Sequence, residues 1–326
     1  MPFNGYAPVE NHVYAAAHGL KERGHKVTAV ALQGSQLGKG IKLIPAEDTN
    51  EEKVFNTFKE KLKNFDCILD FSNLKHSYLY KHDEEKELKI MGCCYPAQAQ
   101  GYQTPPPLPF PNFVVTSEAM GQAVSAKLGV SYRVVHYPWL PFENSSIEAN
   151  PRERMLYLGR LIKEKGVQLA VDISSKLRIG LDIVGEDVNV PDQRFVIELL
   201  RRADGRLIKP YGRVNEQLKH QLLSKAKCMV LPYLGDHVAW TCLPILEALS
   251  HGTPVIAMNK GCVMEYVKNG VNGFGVSRLE ELAEAAKKVE EISPDACFET
   301  VKEFSLESAI DKYEALINQV VNGDEW

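Results

Sequence analysis

A chain of 326 residues, 44% hydrophobic and 25% charged, is long enough for two domains with a core each and ordinary for a globular protein. Its formal net charge of -4, without any basic block, excludes the electrostatic footprint of a nucleic-acid binder. Seven scattered cysteines without C-x-x-C spacing argue against a disulfide framework or a zinc site; no His/Asp ligand cluster argues for another metal, and no cofactor is expected. The start lacks a secretory pattern and no apolar run could span a bilayer, so a reducing, cytoplasmic setting is expected.

In chain order, residues 10 to 23 carry apolar positions at helical spacing (Val13, Ala16, Ala17, Leu20), and Gly24 stops the helix. KVTAVAL, 26 to 32, reads as a strand. Further strands are expected in GIKLIP near Gly40, DCILDF near Asp66, LKIMGCC near Leu88 and NFVVTS near Asn112. Helices are expected at 51 to 63 and from Ser117 to Leu128, the second with Ser117 as N-cap and Gly129 as stop. TPPPLPFP, 104 to 111, suits neither helix nor central strand and reads as an extended loop. YPWLPFENSSIEANP, 137 to 151, has the prolines and aperiodic polarity of an interdomain linker. RMLYLGR then reads as a strand, KGVQLAVDISSKL as an amphipathic helix, and GLDIVGED and RLIKPYGRV as further strands. Near the end, Leu306 to Val321 is helical, and the final NGDEW is expected to fray.

The most informative stretch runs from Cys228 to Gly275. A short apolar run is followed by a polar loop, a helix from Leu243 with Pro244 in its first turn, a stop at Gly252, and a second buried strand from Pro254 to Met258. Strand and helix in alternation make a parallel sheet, whose ligands sit at the carboxyl ends of the strands. Glu247 lies one turn inside a helix that begins at that edge, where a carboxylate can accept hydrogen bonds from a vicinal diol such as a ribose. A second constellation is LGRLIKEKG. A turn between a strand end and a helix start brings Arg160 and Lys165 to the same edge, the first as a planar fork of donors and the second as a mobile point charge.

The words LPYL, LPILEALSHGTPVIA and GCVMEYVKNGVNGFGV, in this order and spacing, resemble the C-terminal signature of the glycosyl transferases group 1 family (glycosyltransferase family 4). That resemblance implies an α/β protein of the GT-B fold, with two Rossmann-like parallel-sheet domains facing a cleft. Residues 1–145 would form an acceptor-side domain, residues 151–303 a nucleotide-sugar-binding domain, and the helix at 304–322 would pack back on the first. It further implies a retaining, metal-independent glycosyltransferase that moves a sugar from a nucleoside-diphosphate sugar to an acceptor hydroxyl. Arg160 and Lys165 would stabilise the leaving diphosphate, Leu243 would flank the phosphates, Glu247 would hold the ribose, and Gly212, Arg213 and Val214 would pack on the base.

Three departures accompany the resemblance. The chain opens with PFNGYAPVE where the family has a first strand and a glycine-rich loop, so Gly5 and Tyr6 are the candidate remnant of that loop. The family's Glu-x7-Glu pair ends at Glu247 but begins here at Ala239, with Asp236 and His237 nearby as candidate sugar contacts. The stretch IMGCCYPAQAQG lacks the family's histidine, and His76 is a neighbouring alternative. These leave a second reading: a degenerate, non-catalytic subunit that binds a nucleotide sugar or steadies a partner transferase. The acceptor is not specified, and peripheral membrane association through a lipid-linked acceptor stays open.

Overall fold

Short β-branched runs that lie buried on both faces pair in parallel, and the helices between them supply the crossovers. The computed structural model describes residues 8–93, 111–138, 152–185, 190–235 and 239–326. Two units result: Met1–Leu140 together with Phe304–Trp326, and Pro141–Glu303.

In the first unit, α1 (Pro8–Glu22) leads into β1 (Thr28–Leu32), which pairs in parallel with β2 (Lys42–Ala46). After α2 (Glu51–Phe58), the chain tightens into a 3-10 turn over Lys59–Asn64, so the expected helix to residue 63 is split. Next come β3 (Ile68–Asp70), α3 (His76–Asp83), β4 (Ile90–Cys93), β5 (Phe113–Val115), α4 (Glu118–Leu128) and β6 (Tyr132–Val134). Strands β3-β4-β5-β6 form one parallel sheet. Among the described residues no strand joins it to the β1-β2 pair. Ala16 and Leu20 of α1 face the core of the larger sheet, while Ala17 faces Leu37 and Ile41 beside the smaller pair.

The second unit holds β7 (Arg154–Leu158), α5 (Val167–Leu177), β8 (Leu181–Val184), α6 (Gln193–Leu200), β9 (Ile208–Gly212), α7 (Glu216–Lys225) and β10 (Ala226–Leu231). It continues through α8 (Leu243–Leu249), β11 (Val255–Met258), α9 (Val263–Tyr266), β12 (Gly273–Val276), α10 (Leu279–Lys288) and α11 (Pro294–Lys302). All six strands are parallel, in the order β12-β11-β10-β7-β8-β9. The chain therefore builds outward from β7 in one direction, then returns to β10 on the other side. That reversal between β7 and β10 is the topological switch point of a doubly wound sheet, where loops part at the carboxyl edge and leave room for a ligand.

The last helix, α12 (Leu306–Val321), belongs to the first unit and packs on α1 and β4. Gly19 permits the contact, because a Cβ there would lie 2.4 Å from Ile310. Tyr313 meets the fully buried His12 at 2.9 Å, and His25 reaches Glu314 at 2.8 Å. Contrary to the frayed end expected from NGDEW, Trp326 is docked. Its indole donates to the Phe113 carbonyl at 3.1 Å, its backbone N–H to the Asn112 side chain at 3.3 Å, and Arg133 lies over its ring. A tryptophan combines a large apolar face with one donor, and both find partners at the end of β5.

Candidate functional site

The loop after β7 and the loop after β10 meet at the switch point. Gly166 has φ +75°, and a Cβ there would fall 1.8 Å from the Pro232 carbonyl oxygen. The Leu234 N–H donates to the Glu164 carbonyl at 2.9 Å. Gly185, at the end of β8, is pressed equally closely, with a Cβ position 1.8 Å from the Gly159 carbonyl oxygen. Glycine is required at Gly166 both for its left-handed backbone and for this approach.

These contacts place the two cations. Arg160 is exposed at the mouth of the loop, its carbonyl fixed by the buried Tyr157 hydroxyl at 2.9 Å. Lys165 is half-buried, its ammonium 4.9 Å from the centre of the Tyr233 ring. Burial, and then the Arg160 charge, hold the Lys165 ammonium below its ordinary pKa, so the two positive charges share one neighbourhood. Cys242, the N-cap of α8, and Cys262, the N-cap of α9, lie within the same electrostatic reach of Lys165. The Arg160 and Lys165 cations gain from an anion bound beside them.

Glu247 stands on α8 with its side chain 18% exposed, while Ile245, Leu246, Ala248 and Leu249 are wholly buried around it. Burial raises its carboxyl pKa, and Lys219 of α7, 2.9 Å from Oε1, acts against that rise. Leu243 opens the helix half-buried. Ala239, buried at 4% exposure, uses its carbonyl to accept from the Cys262 N–H at 2.7 Å, so this position offers backbone and no carboxylate.

Not every expected residue joins this group. Gly212 closes β9, two strands away from β7, and Arg213 and Val214 follow it; Gly212 adopts φ +63° and its carbonyl accepts from the Gly185 N–H at 3.0 Å. What ties that loop to Glu247 is α7, which starts just beyond it, capped by Asn215, and carries Lys219. Gly5, Tyr6, Asp236 and His237 lie outside the described residues. His76, in the other unit, stacks on Phe55 with ring centroids 5.5 Å apart. The sequence singles out neither Lys219 nor, beyond its place in the word LPYL, Tyr233. Lys219 follows Glu216 by three residues on a helix with a modest apolar face, and so reads as an ordinary solvated pair. Among the described residues no cluster of His, Cys, Asp and Glu could hold a metal ion, and no helix is long and apolar enough to cross a membrane.

This doubly wound sheet, together with the α/β first unit, makes the fold that of the GT-B glycosyltransferases. AviGT4, a glycosyltransferase involved in avilamycin A biosynthesis, superposes with a TM-score of 0.74 at 19% identity, over 100% of this chain and 93% of that one. A glycosyltransferase from Rickettsia africae ESF-5 does so at 0.72 and 16% identity, over 97% and 95% of the two chains. Anabaena HepE, in complex with UDP and glucose, gives 0.68 and 14% identity over 97% and 98%. Residues 152–291 match the model of the family described as Glycosyl transferases group 1. A curated relative is granule-bound starch synthase 1 of Arabidopsis thaliana, 25% identical over 169 residues. That match takes in 51% of this chain but spans only about a quarter (26%) of the starch synthase.

Proposed function

We propose that the protein is a retaining glycosyltransferase that transfers a sugar from a nucleoside-diphosphate sugar to an acceptor hydroxyl. The observation that carries this reading is the meeting of Arg160 and Lys165 at the switch point of a sheet whose next helix bears the half-buried Glu247. Breaking the bond between a sugar and a diphosphate develops negative charge on the leaving group. Cations already fixed nearby stabilise that charge more in the transition state than in the ground state, which is what lowers the barrier. Arg160 provides a fork of donors for phosphate oxygens, and Lys165 a point charge steered by the Tyr233 ring. Glu247 accepts from the ribose diol, Leu243 flanks the phosphates, and the loop Gly212–Val214 lies against the base. HepE, a protein of the same fold, is described in complex with UDP and with UDP-glucose, which favours a uridine donor here. The first unit then receives the acceptor.

Two observations favour a second reading, a nucleotide-sugar binder without turnover. Ala239 supplies no carboxylate where the family pairs one with Glu247, and the family's N-terminal histidine has no counterpart among the residues that match its stretch. Incubation with UDP-, GDP- and ADP-sugars and a panel of acceptors separates the two. Acceptor-dependent release of nucleotide, with the anomeric configuration of the product kept, supports the enzyme. Saturable binding without release supports the binder, and no binding of any nucleotide sugar refutes both.

A further inference from the structure

Two separate chains of hydrogen bonds pin α8 to α7 around Glu247. The first is ionic: the Lys219 ammonium donates to Glu247 Oε1 at 2.9 Å and to Glu216 Oε2 at 2.7 Å, with the Lys219 side chain 17% exposed. The second runs through stacked histidines. His251 Nδ1 lies 2.7 Å from the Glu247 carbonyl, and His251 Nε2 lies 2.9 Å from His220 Nδ1. A carbonyl only accepts, so His251 carries its proton on Nδ1, its Nε2 accepts, and His220 Nδ1 donates. The Arg152 guanidinium holds the His251 carbonyl at 2.9 Å. The helix backbone at Glu247 is therefore held at its carbonyl and its carboxylate at Oε1. Among the described residues, Lys219 alone is within hydrogen-bond distance of that carboxylate, and only at Oε1.

We propose that Lys219 is a positioning residue for nucleotide recognition: it holds the Glu247 carboxylate aimed through Oε1, leaving Oε2 to accept from the vicinal diol of a ribose. The inference rests on the nucleotide-sugar reading above and deepens it. Lys219 sits one turn into the helix that follows the base loop, so one side chain links the element flanking the base to the acid that holds the sugar ring. The groups facing Glu247 are Lys219 and Glu216 from α7, with His220 beside them, and His251 at the end of its own helix. Burial raises the Glu247 carboxyl, Lys219 opposes this, and Glu216 adds to it. Without Lys219, burial and Glu216 act together, and the carboxyl takes up a proton nearer to neutral pH. Burial lowers the pKa of both histidines, that of His251 to about 4, so they stay neutral at neutral pH.

The test is calorimetric binding of UDP, GDP and ADP to the full chain from pH 5 to pH 8, using whichever binds the wild type most tightly. Lys219→Met is expected to lower affinity at pH 7 by about tenfold, the loss of one charge-assisted contact. Its affinity is expected to fall further as pH drops, while the wild type holds its affinity to lower pH. Lys219→Arg should restore both affinity and pH profile. In a Glu247→Gln background, Lys219→Met should cost little more. A loss independent of pH, or one that persists undiminished beside Glu247→Gln, overturns the proposal and leaves Lys219 a structural residue. Wild-type binding with an unaltered Lys219→Met also overturns it while sparing the donor reading. Failure of the wild type to bind any of the three nucleotides removes both.

Discussion

The switch point depends on how closely two loops approach, and Gly166→Ala tests that approach without touching a charge. The substituted residue must hold φ +75°, which costs an L-residue about 1–2 kcal/mol. Its Cβ must also leave the Pro232 carbonyl oxygen: 1.8 Å has to become at least 3.0 Å, a displacement of 1.2 Å. Such a shift in a packed region costs about 1–3 kcal/mol, and it stretches the bond between the Leu234 N–H and the Glu164 carbonyl, worth ~1 kcal/mol more. Together the loss should reach about 4 kcal/mol. Gly270 in the same unit provides the comparison, since it has the same φ of +75° and no atom within 4 Å of its Cβ position. Gly270→Ala should therefore lose only the strain, about 1–2 kcal/mol. Urea unfolding followed by hydrogen exchange of the β7 and β10 peptides reports on this unit alone. If the two variants are equally stable, the loops do not press on each other and the account of the switch point is wrong.

Other outcomes follow from single groups. Arg160→Ala should weaken nucleoside-diphosphate affinity by roughly thirtyfold, about 2 kcal/mol for a charge-assisted contact; unchanged affinity in calorimetry would refute its phosphate role. Lys75, 1% exposed in a left-handed conformation, donates to the Asp70 and Cys93 carbonyls at 3.0 and 2.9 Å and also to that of Ser72. Lys75→Met should cost about 3–5 kcal/mol in urea unfolding, and a loss under 1 kcal/mol would contradict a satisfied buried ammonium. Complete burial lowers the His12 pKa from 6.5 to about 3, so the unfolded chain binds a proton there that the folded chain refuses. Stability from this group is complete above pH 6.5 and falls by about 1.4 kcal/mol per pH unit as acid is added towards pH 3. His12→Gln should reduce the slope of stability against pH by about one proton; an unchanged slope would show that His12 is not buried neutral.

Much of the second unit is legible because buried parallel strands read as apolar runs. Met229 to Leu231 and Val255 to Met258 advertise themselves, and Gly252 marks the stop between them. Arg160, Lys165 and Glu247 stand at strand ends and helix starts of that pattern, and the family resemblance makes them candidates. Their environment was not readable. Lys219 and Glu247 are 28 residues apart, and nothing local in either segment announces the pairing. Elements without a strong apolar face were missed for a related reason: α3 is entered through Lys75, whose φ of 52° is a tertiary choice, and α7 is capped by Asn215 but mostly polar. The docking of Trp326 depends on acceptors at Asn112 and Phe113, more than two hundred residues away, which no C-terminal pentapeptide reveals.

The central claim is that one nucleoside-diphosphate donor is held at the switch point of the second unit. Hydrogen exchange of the full chain, with and without a saturating UDP-, GDP- or ADP-sugar, tests it most directly. The account predicts new protection in the backbone amides from Gly159 to Val167 and from Leu243 to Ser250. Protection confined to other segments, or none with any of the three donors, would contradict it.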